Sequence, residues 1–177
     1  MPTVSRGRTS QRPGLAPFVT VSVRLGERSG ARAAADRAFV KALGRRSAMS
    51  SVSSFRPAPE PMVRAAFERL CDIVEDQSHV TLIAQRDDRP VGFLLLLDQL
   101  PDEVTSLPQG FIAYMAVEPQ CQGEGVGAAL LAAAENEARR RGLAYIALMV
   151  SEENEAARRL YTRSGYQTER RLLCKPL

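Results

Sequence analysis

The chain has 177 residues, 45% apolar and 25% charged, which is enough apolar material for one domain with a sizeable core and too much for wholesale disorder. Its longest apolar stretch, near Val91–Leu97, falls far short of the about 20 residues needed to span a bilayer, and its three scattered cysteines and lone His79 suggest neither a disulfide framework nor a Cys/His metal centre, so a soluble, metal-free protein in reducing, cytoplasmic surroundings is expected. The net charge is +4, yet residues 1–57 alone carry +9: either an anion-attracting surface or solvated helix faces plus a tail, the second being favoured because arginine dominates everywhere and no nucleic-acid motif accompanies the charge.

Residues 1–17 read as a flexible tail, Arg- and Ser-rich without the apolar run of a secretory signal, and residues 18–177 as a single domain. Phe18–Leu25 alternates apolar and polar residues, the period of a strand with one buried face. Ala31–Leu43 has helical spacing with Ser29 as N-cap, and Gly44–Ser54 reads as a loop. In Met62–Val74 apolar residues recur at three- and four-residue steps, the pattern of an amphipathic helix. His79–Gln85 and Pro90–Leu97 flank the polar tetrapeptide Arg86-Asp87-Asp88-Arg89, which predicts an antiparallel hairpin.

After the loop Gln99–Gln109 comes a strand, Phe111–Val117, stopped at Glu118-Pro119 because proline cannot donate to a ladder. Val126–Arg141 is an Ala- and Leu-rich helix capped by Gly142. A strand over Ala144–Val150, a helix over Glu155–Ser164 closed by Gly165, and a last strand over Tyr166–Cys174 complete the chain. The order βααβββαβαβ predicts an α/β fold with a mixed, mainly antiparallel central sheet flanked by helices.

The segment Gln122-Gly123-Glu124-Gly125-Val126-Gly127 lies between a predicted strand and a predicted helix. Glycines there allow a tight turn and expose N–H groups at a helix N-terminus, a good site for a pyrophosphate, although a plain glycine-assisted cap has the same letters. A Walker loop requires Lys-Ser/Thr after the last glycine, where Ala128-Ala129 stands. A dinucleotide fingerprint requires Gly-x-Gly-x-x-Gly and an acid about 20 residues on, where Tyr145-Ile146-Ala147 stands.

The pattern Gln122-x-x-Gly125-x-Gly127 resembles the Gln/Arg-x-x-Gly-x-Gly/Ala signature of the GNAT superfamily of acyl-CoA N-acyltransferases (GCN5-related N-acetyltransferases). Asn154-x-x-Ala157-x-x-x-Tyr161-x-x-x-Gly165-Tyr166 is similar to that family's Asn-x-x-Ala-x-x-x-Tyr-x-x-x-Gly-Phe/Tyr segment. The ordered pair is far more specific than either half. The resemblance implies transfer of an acetyl group from acetyl-CoA to a primary amine by direct attack, without a metal. It assigns the pantetheine arm to the backbone of Met115 and Val117, with the Met115 N–H as oxyanion donor. Pyrophosphate falls to the amides of Gly123, Glu124, Gly125, Val126, Gly127 and Ala128 beside Gln122, Asn154 to the cofactor arm, and Tyr161 to the general acid that protonates the leaving thiolate.

The general base is not legible. Where some members of that family carry a glutamate on the central strand this chain has Phe111, which leaves Asp102, Glu103, Tyr114, Glu152, Glu153 or a water chain. A small-molecule acceptor is favoured. A peptide N-terminus or a lysine is the alternative, as is a non-catalytic CoA-binding module. The resemblance further suggests a homodimer through the final strands.

Overall fold

The computed structural model describes residues 20–176. The expected tail and the first residues of the first expected strand lie outside them. The elements are β1 (Val21–Leu25), α1 (Gly30–Ser47), α2 (Glu60–Glu75), β2 (His79–Arg86), β3 (Arg89–Leu97), β4 (Gln109–Val117), α3 (Val126–Arg140), β5 (Tyr145–Leu148) and α4 (Glu155–Arg163), with short 3₁₀ turns at Ala48–Ser51 and Pro119–Cys121.

The sheet order is β1-β2-β3-β4-β5. Three antiparallel pairings are followed by one parallel pairing, β4 with β5, for which α3 is the crossover. The β2–β3 turn has Asp87 and Asp88 at φ 50° and 60°, the two left-handed residues of a tight hairpin whose twist suits the strands.

β3 explains the layering. Val91, Leu94 and Leu96 pack with Val126, Leu130, Leu131 and Ala134 of α3, while Phe93, Leu95 and Leu97 pack with Val40 and Leu43 of α1 and Phe67, Cys71 and Val74 of α2. A strand apolar on both faces belongs at the centre of a sheet covered on both sides. Fully burying one such Leu or Phe side chain contributes about 1.5–3 kcal/mol.

Helix α1 runs past the predicted end at Leu43 and takes in Gly44, expected in a loop. The reason is a close approach: a Cβ on Gly44 would lie 1.9–2.6 Å from ring atoms of Phe67, a ring held against Phe93 and Tyr114 at centroid distances of 6.5 and 4.8 Å. Gly44→Ala is therefore expected to destabilise the fold by about 1–3 kcal/mol through overpacking. In a thermal melt this lowers Tm by about 2–4 °C per kcal/mol, and an unchanged Tm would show that the ring yields freely. Ser29 does occupy the N-cap of α1, but its hydroxyl makes no cap hydrogen bond. The second turn of α1 is tied to β1 by Arg24, whose guanidinium holds both Asp36 oxygens at 2.6 and 2.8 Å.

The last expected strand, Tyr166–Cys174, is not formed: after α4 the chain is irregular, and from Gln167 on it is exposed. Gln167-Thr168-Glu169-Arg170-Arg171 is polar in both parities, so it has no face to bury, and Leu172 and Leu173 are 85% and 87% exposed. Side chains hold the segment instead. Arg170 pairs with Asp102 at 2.6 Å and Glu103 at 3.2 Å, and the Arg56 guanidinium lies 2.7 Å from the Cys174 thiol.

Candidate active site

Strand β4 carries a bulge. Leu95 opposes Tyr114 and Leu96 opposes Ile112, leaving Ala113 unmatched. The extra residue switches the parity of the strand: Ile112, Met115 and Val117 pack on the α3 side, and Phe111, Ala113, Tyr114 and Ala116 on the α1/α2 side. β5 pairs only with Gln109–Ile112, so beyond the bulge one edge of β4 has no strand beside it among the described residues. The Glu118 N–H donates to the Val91 carbonyl at 2.8 Å, toward β3. Alternation then points the backbone groups of Val117 and Met115 away from β3, into the gap. In that direction the Gln122 side-chain amide donates to the Val117 carbonyl at 3.3 Å.

The glycine segment follows at once. Gly123 and Gly125 have φ of 81° and 84°, a region that suits glycine, and a Cβ on either would meet nothing within 4 Å. Backbone conformation, not crowding, selects glycine there. Gly125 is the N-cap of α3 and no side chain caps that helix, so its first N–H groups stay available to an anion. Gly127 has a different reason: a Cβ would lie 2.9 Å from Leu160 Cδ2, so this glycine lets α4 approach the start of α3. Glu124, between the two left-handed glycines, is ion-paired to Arg86 at the end of β2.

Helix α4 brings in the second motif. Asn154 is its N-cap, the side-chain oxygen accepting from the Ala157 N–H at 3.2 Å. Gly165 ends it at φ 89°, with Tyr166 N–H to Tyr161 C=O at 3.0 Å and Gly165 N–H to Thr162 C=O at 3.1 Å, a Schellman closure. Leu160, Tyr161 and Tyr166 pack on the same cluster as Met115 and Val117, and the two tyrosine rings lie 5.8 Å apart. The Tyr161 hydroxyl makes no hydrogen bond with the described residues. Burial raises its pKa above the usual tyrosine value, so the phenol keeps its proton at neutral pH.

The candidate bases sit elsewhere in the hydrogen-bond network. Asp102 accepts from the Thr105 N–H and hydroxyl, both at 2.7 Å, from the Val104 N–H and from Arg170, which holds its pKa far below the usual carboxylate range. Glu103 pairs with Arg170, and Glu152 with Arg158 at 3.0 Å. Tyr114 stacks on Phe93 and lies 3.4 Å from the Ser47 hydroxyl. Glu153 accepts from the Ser54 N–H at 2.8 Å and from the hydroxyls of Ser54 and Ser53 at 2.7 and 3.2 Å, bonds that lower its pKa.

Glu153 is therefore a clasp between the α1–α2 loop and the turn into α4, which sequence reasoning missed because its partners lie about a hundred residues away. Lowering of its pKa means the clasp holds through neutral pH and weakens only as pH falls below the usual carboxylate range. Glu153→Ala is expected to raise hydrogen exchange of the Ser54 amide at least tenfold with the α3 amides unchanged. Equal exchange would mean that the loop is held by other contacts.

Four of the eight described cations in the basic N-terminal part are ion-paired within the protein. Arg24, Lys41, Arg45 and Arg46 pair with Asp36, Asp72, Glu68 and Glu118, whereas Arg28, Arg32, Arg37 and Arg56 form no ion pair among the described residues. A cavity of about 940 Å³ under α1 and α2, floored by Val40, Cys71, Val74 and Leu95, shares no lining residue with β4, the glycine segment or α4. Burial pushes the Cys71 thiol there up to about 11. No helix among the described residues is long and apolar enough to cross a membrane.

A bulged, half-unpaired β4 running into an uncapped glycine turn and α3, with α4 docked over that turn, is a pairing of features that comparison with known proteins resolves. The profile of the acetyltransferase (GNAT) family matches residues 48–166. The chain belongs to this family.

An N-acetyltransferase of Methanocaldococcus jannaschii, itself uncharacterized, is 37% identical over 94 residues, 52% of this chain and 55% of that one. Matches to curated relatives span between 18% and 55% of those proteins' lengths. Among solved structures, a Pyrococcus furiosus protein named an acetyl transferase superposes with a TM-score of 0.73 at 24% identity, over 89% of this chain and all of that one. An aminoglycoside N-acetyltransferase in complex with CoA does so with 0.59 at 17% identity, over 92% and 99%. These likenesses show the fold, a five-stranded sheet with helices on both faces, to be one the chain shares with acetyltransferase structures.

Proposed function

We propose that the chain is an acetyl-CoA-dependent N-acetyltransferase acting on a primary amine, with a small-molecule acceptor. The observation that carries this reading is the β4 edge: the backbone of Met115 and Val117 faces a gap that opens where β5 stops pairing, and it leads straight to the free N–H groups of Gly123–Ala128. The open space over Gly123 and Gly125 suits the diphosphate of CoA, and the unpaired strand edge suits the amide groups of a pantetheine arm.

When bound, acetyl-CoA supplies a thioester carbon that accepts an amine nitrogen while its C–S bond breaks. The Met115 N–H donates toward the thioester oxygen and stabilises charge developing on it, an effect of roughly 2.7–4 kcal/mol in comparable acyl-transfer sites. The Tyr161 hydroxyl donates its proton to the departing sulfur. Because burial raises the Tyr161 pKa, the acid form persists to higher pH than for a free tyrosine. Asn154 holds the start of α4 with its oxygen and keeps its side-chain N–H groups for the cofactor arm. Asp102 and Glu153 are engaged and held in low-pKa states, which leaves Glu103, Tyr114, Glu152 or a water chain to take the amine's proton.

A free-thiol release assay over a panel of amines, aminoglycosides and peptides tests this. Release that depends on a small amine supports it, and release that depends only on peptides transfers the activity to a protein acceptor. Tight acetyl-CoA binding with no release under any acceptor would favour a non-catalytic CoA-binding module.

A further inference from the structure

From Pro119 to Ala138 the chain has no Lys or Arg, so the turn that faces a diphosphate supplies no cation of its own. It supplies an anion instead. Glu124 stands between two glycines fixed at left-handed φ, at the centre of the segment whose N–H groups are offered to phosphate. An uncompensated carboxylate there would repel a second anion, least screened where solvent is displaced.

The compensating charge comes from another element. Arg86, last residue of β2 and first of the hairpin turn, is ion-paired to Glu124 across the surface. The Glu124 side chain is 47% exposed and that of Arg86 29%. An exposed pair contributes little to fold stability, so its consequence lies in the field at the turn. Asp87, Asp88 and Arg89 of the same hairpin form no ion pair with the turn among the described residues.

We propose that Arg86 is a positioning residue of the cofactor turn: by holding the Glu124 carboxylate it removes a like charge from the place where the diphosphate of a CoA thioester binds. The proposal rests on the CoA reading of that turn and adds to it a residue that neither motif contains. Arg86 here acts through Glu124 and needs no contact with the phosphates.

The test is a double-mutant cycle read by calorimetric titration with CoA, with circular dichroism and Tm as folding controls. Arg86→Ala is expected to weaken CoA binding about tenfold. Glu124→Gln keeps the backbone N–H of the turn and removes only the side-chain charge, and in that background Arg86→Ala is expected to cost less than about threefold, so that the double variant Arg86→Ala/Glu124→Gln binds within about threefold of Glu124→Gln alone. A double variant as weak as Arg86→Ala would overturn the proposal, because Arg86 would then act on the phosphates directly. Unchanged affinity in Arg86→Ala would also overturn it. Failure of the unsubstituted, folded chain to bind CoA would instead reject the underlying reading of the turn.

Discussion

Gly125→Asp is expected to weaken acetyl-CoA binding by about 100-fold, close to 2.7 kcal/mol. Two effects combine. Gly125 sits at φ 84° as the N-cap of α3, where a side chain is strained, and the new carboxylate would stand beside the diphosphate at the helix N-terminus. Gly125→Asn separates them: Asn tolerates the left-handed region about as well as Asp but carries no charge, so it is expected to lose less than tenfold. Since a Cβ meets nothing within 4 Å at this position, steric conflict with the protein explains neither result. Equal affinity of Gly125→Asp and the unsubstituted protein in a calorimetric titration would remove the anion from this turn.

Tyr161→Phe is expected to lower kcat by about two orders of magnitude, the low end of what a positioned general acid contributes, while acetyl-CoA affinity changes less than threefold. The phenol is half-buried against the cluster that holds Met115 and Val117, its ring stays packed against Tyr166 in the variant, and its oxygen has no protein partner to lose among the described residues. The pH profile carries a second signature. Because the Tyr161 pKa is raised, protonation of the leaving thiolate is fully available below the ordinary tyrosine value and is lost only as pH rises above it. A kcat equal to that of the unsubstituted enzyme would mean that water protonates the thiolate and that Tyr161 only packs.

Much of the fold was legible because period and burial agree. β3 shows an apolar run on both faces and is central; α2 shows three- and four-residue steps and lays Phe67, Cys71 and Val74 on the sheet. Gly44 was misread because a glycine forced by a neighbouring aromatic ring looks, in one dimension, like a glycine that ends a helix. The absent last strand has the opposite cause: Tyr166–Cys174 has strand-like apolar residues at its ends, but the run of charge between them leaves no face to bury.

At the site, local motifs were legible and long-range ones were not. Gly123, Gly125 and Gly165 have left-handed backbone, which suits the expected tight turn and helix closure, and Met115, Val117, Leu160 and Tyr161 pack on one cluster. The bulge at Ala113, which re-aims β4, has no sequence signature. Nor do Glu153 with Ser53 and Ser54, or Arg86 with Glu124, because each pair is joined only by the fold. Asp102 and Glu153, candidate bases by position alone, are hydrogen-bonded carboxylates whose neighbours favour the ionised form and make them poor proton acceptors.

On this reading a CoA thioester lies along the free edge of β4 with its diphosphate on the turn before α3. An amide-resolved NMR titration of the isotopically labelled chain with acetyl-CoA tests it most directly. Saturable shifts are expected at the amides of Met115, Val117, Gly123, Gly125, Val126 and Gly127, with Val40 and Val74 in the cavity under α1 and α2 unmoved. Shifts confined to that cavity, or none at saturating acetyl-CoA, would contradict it.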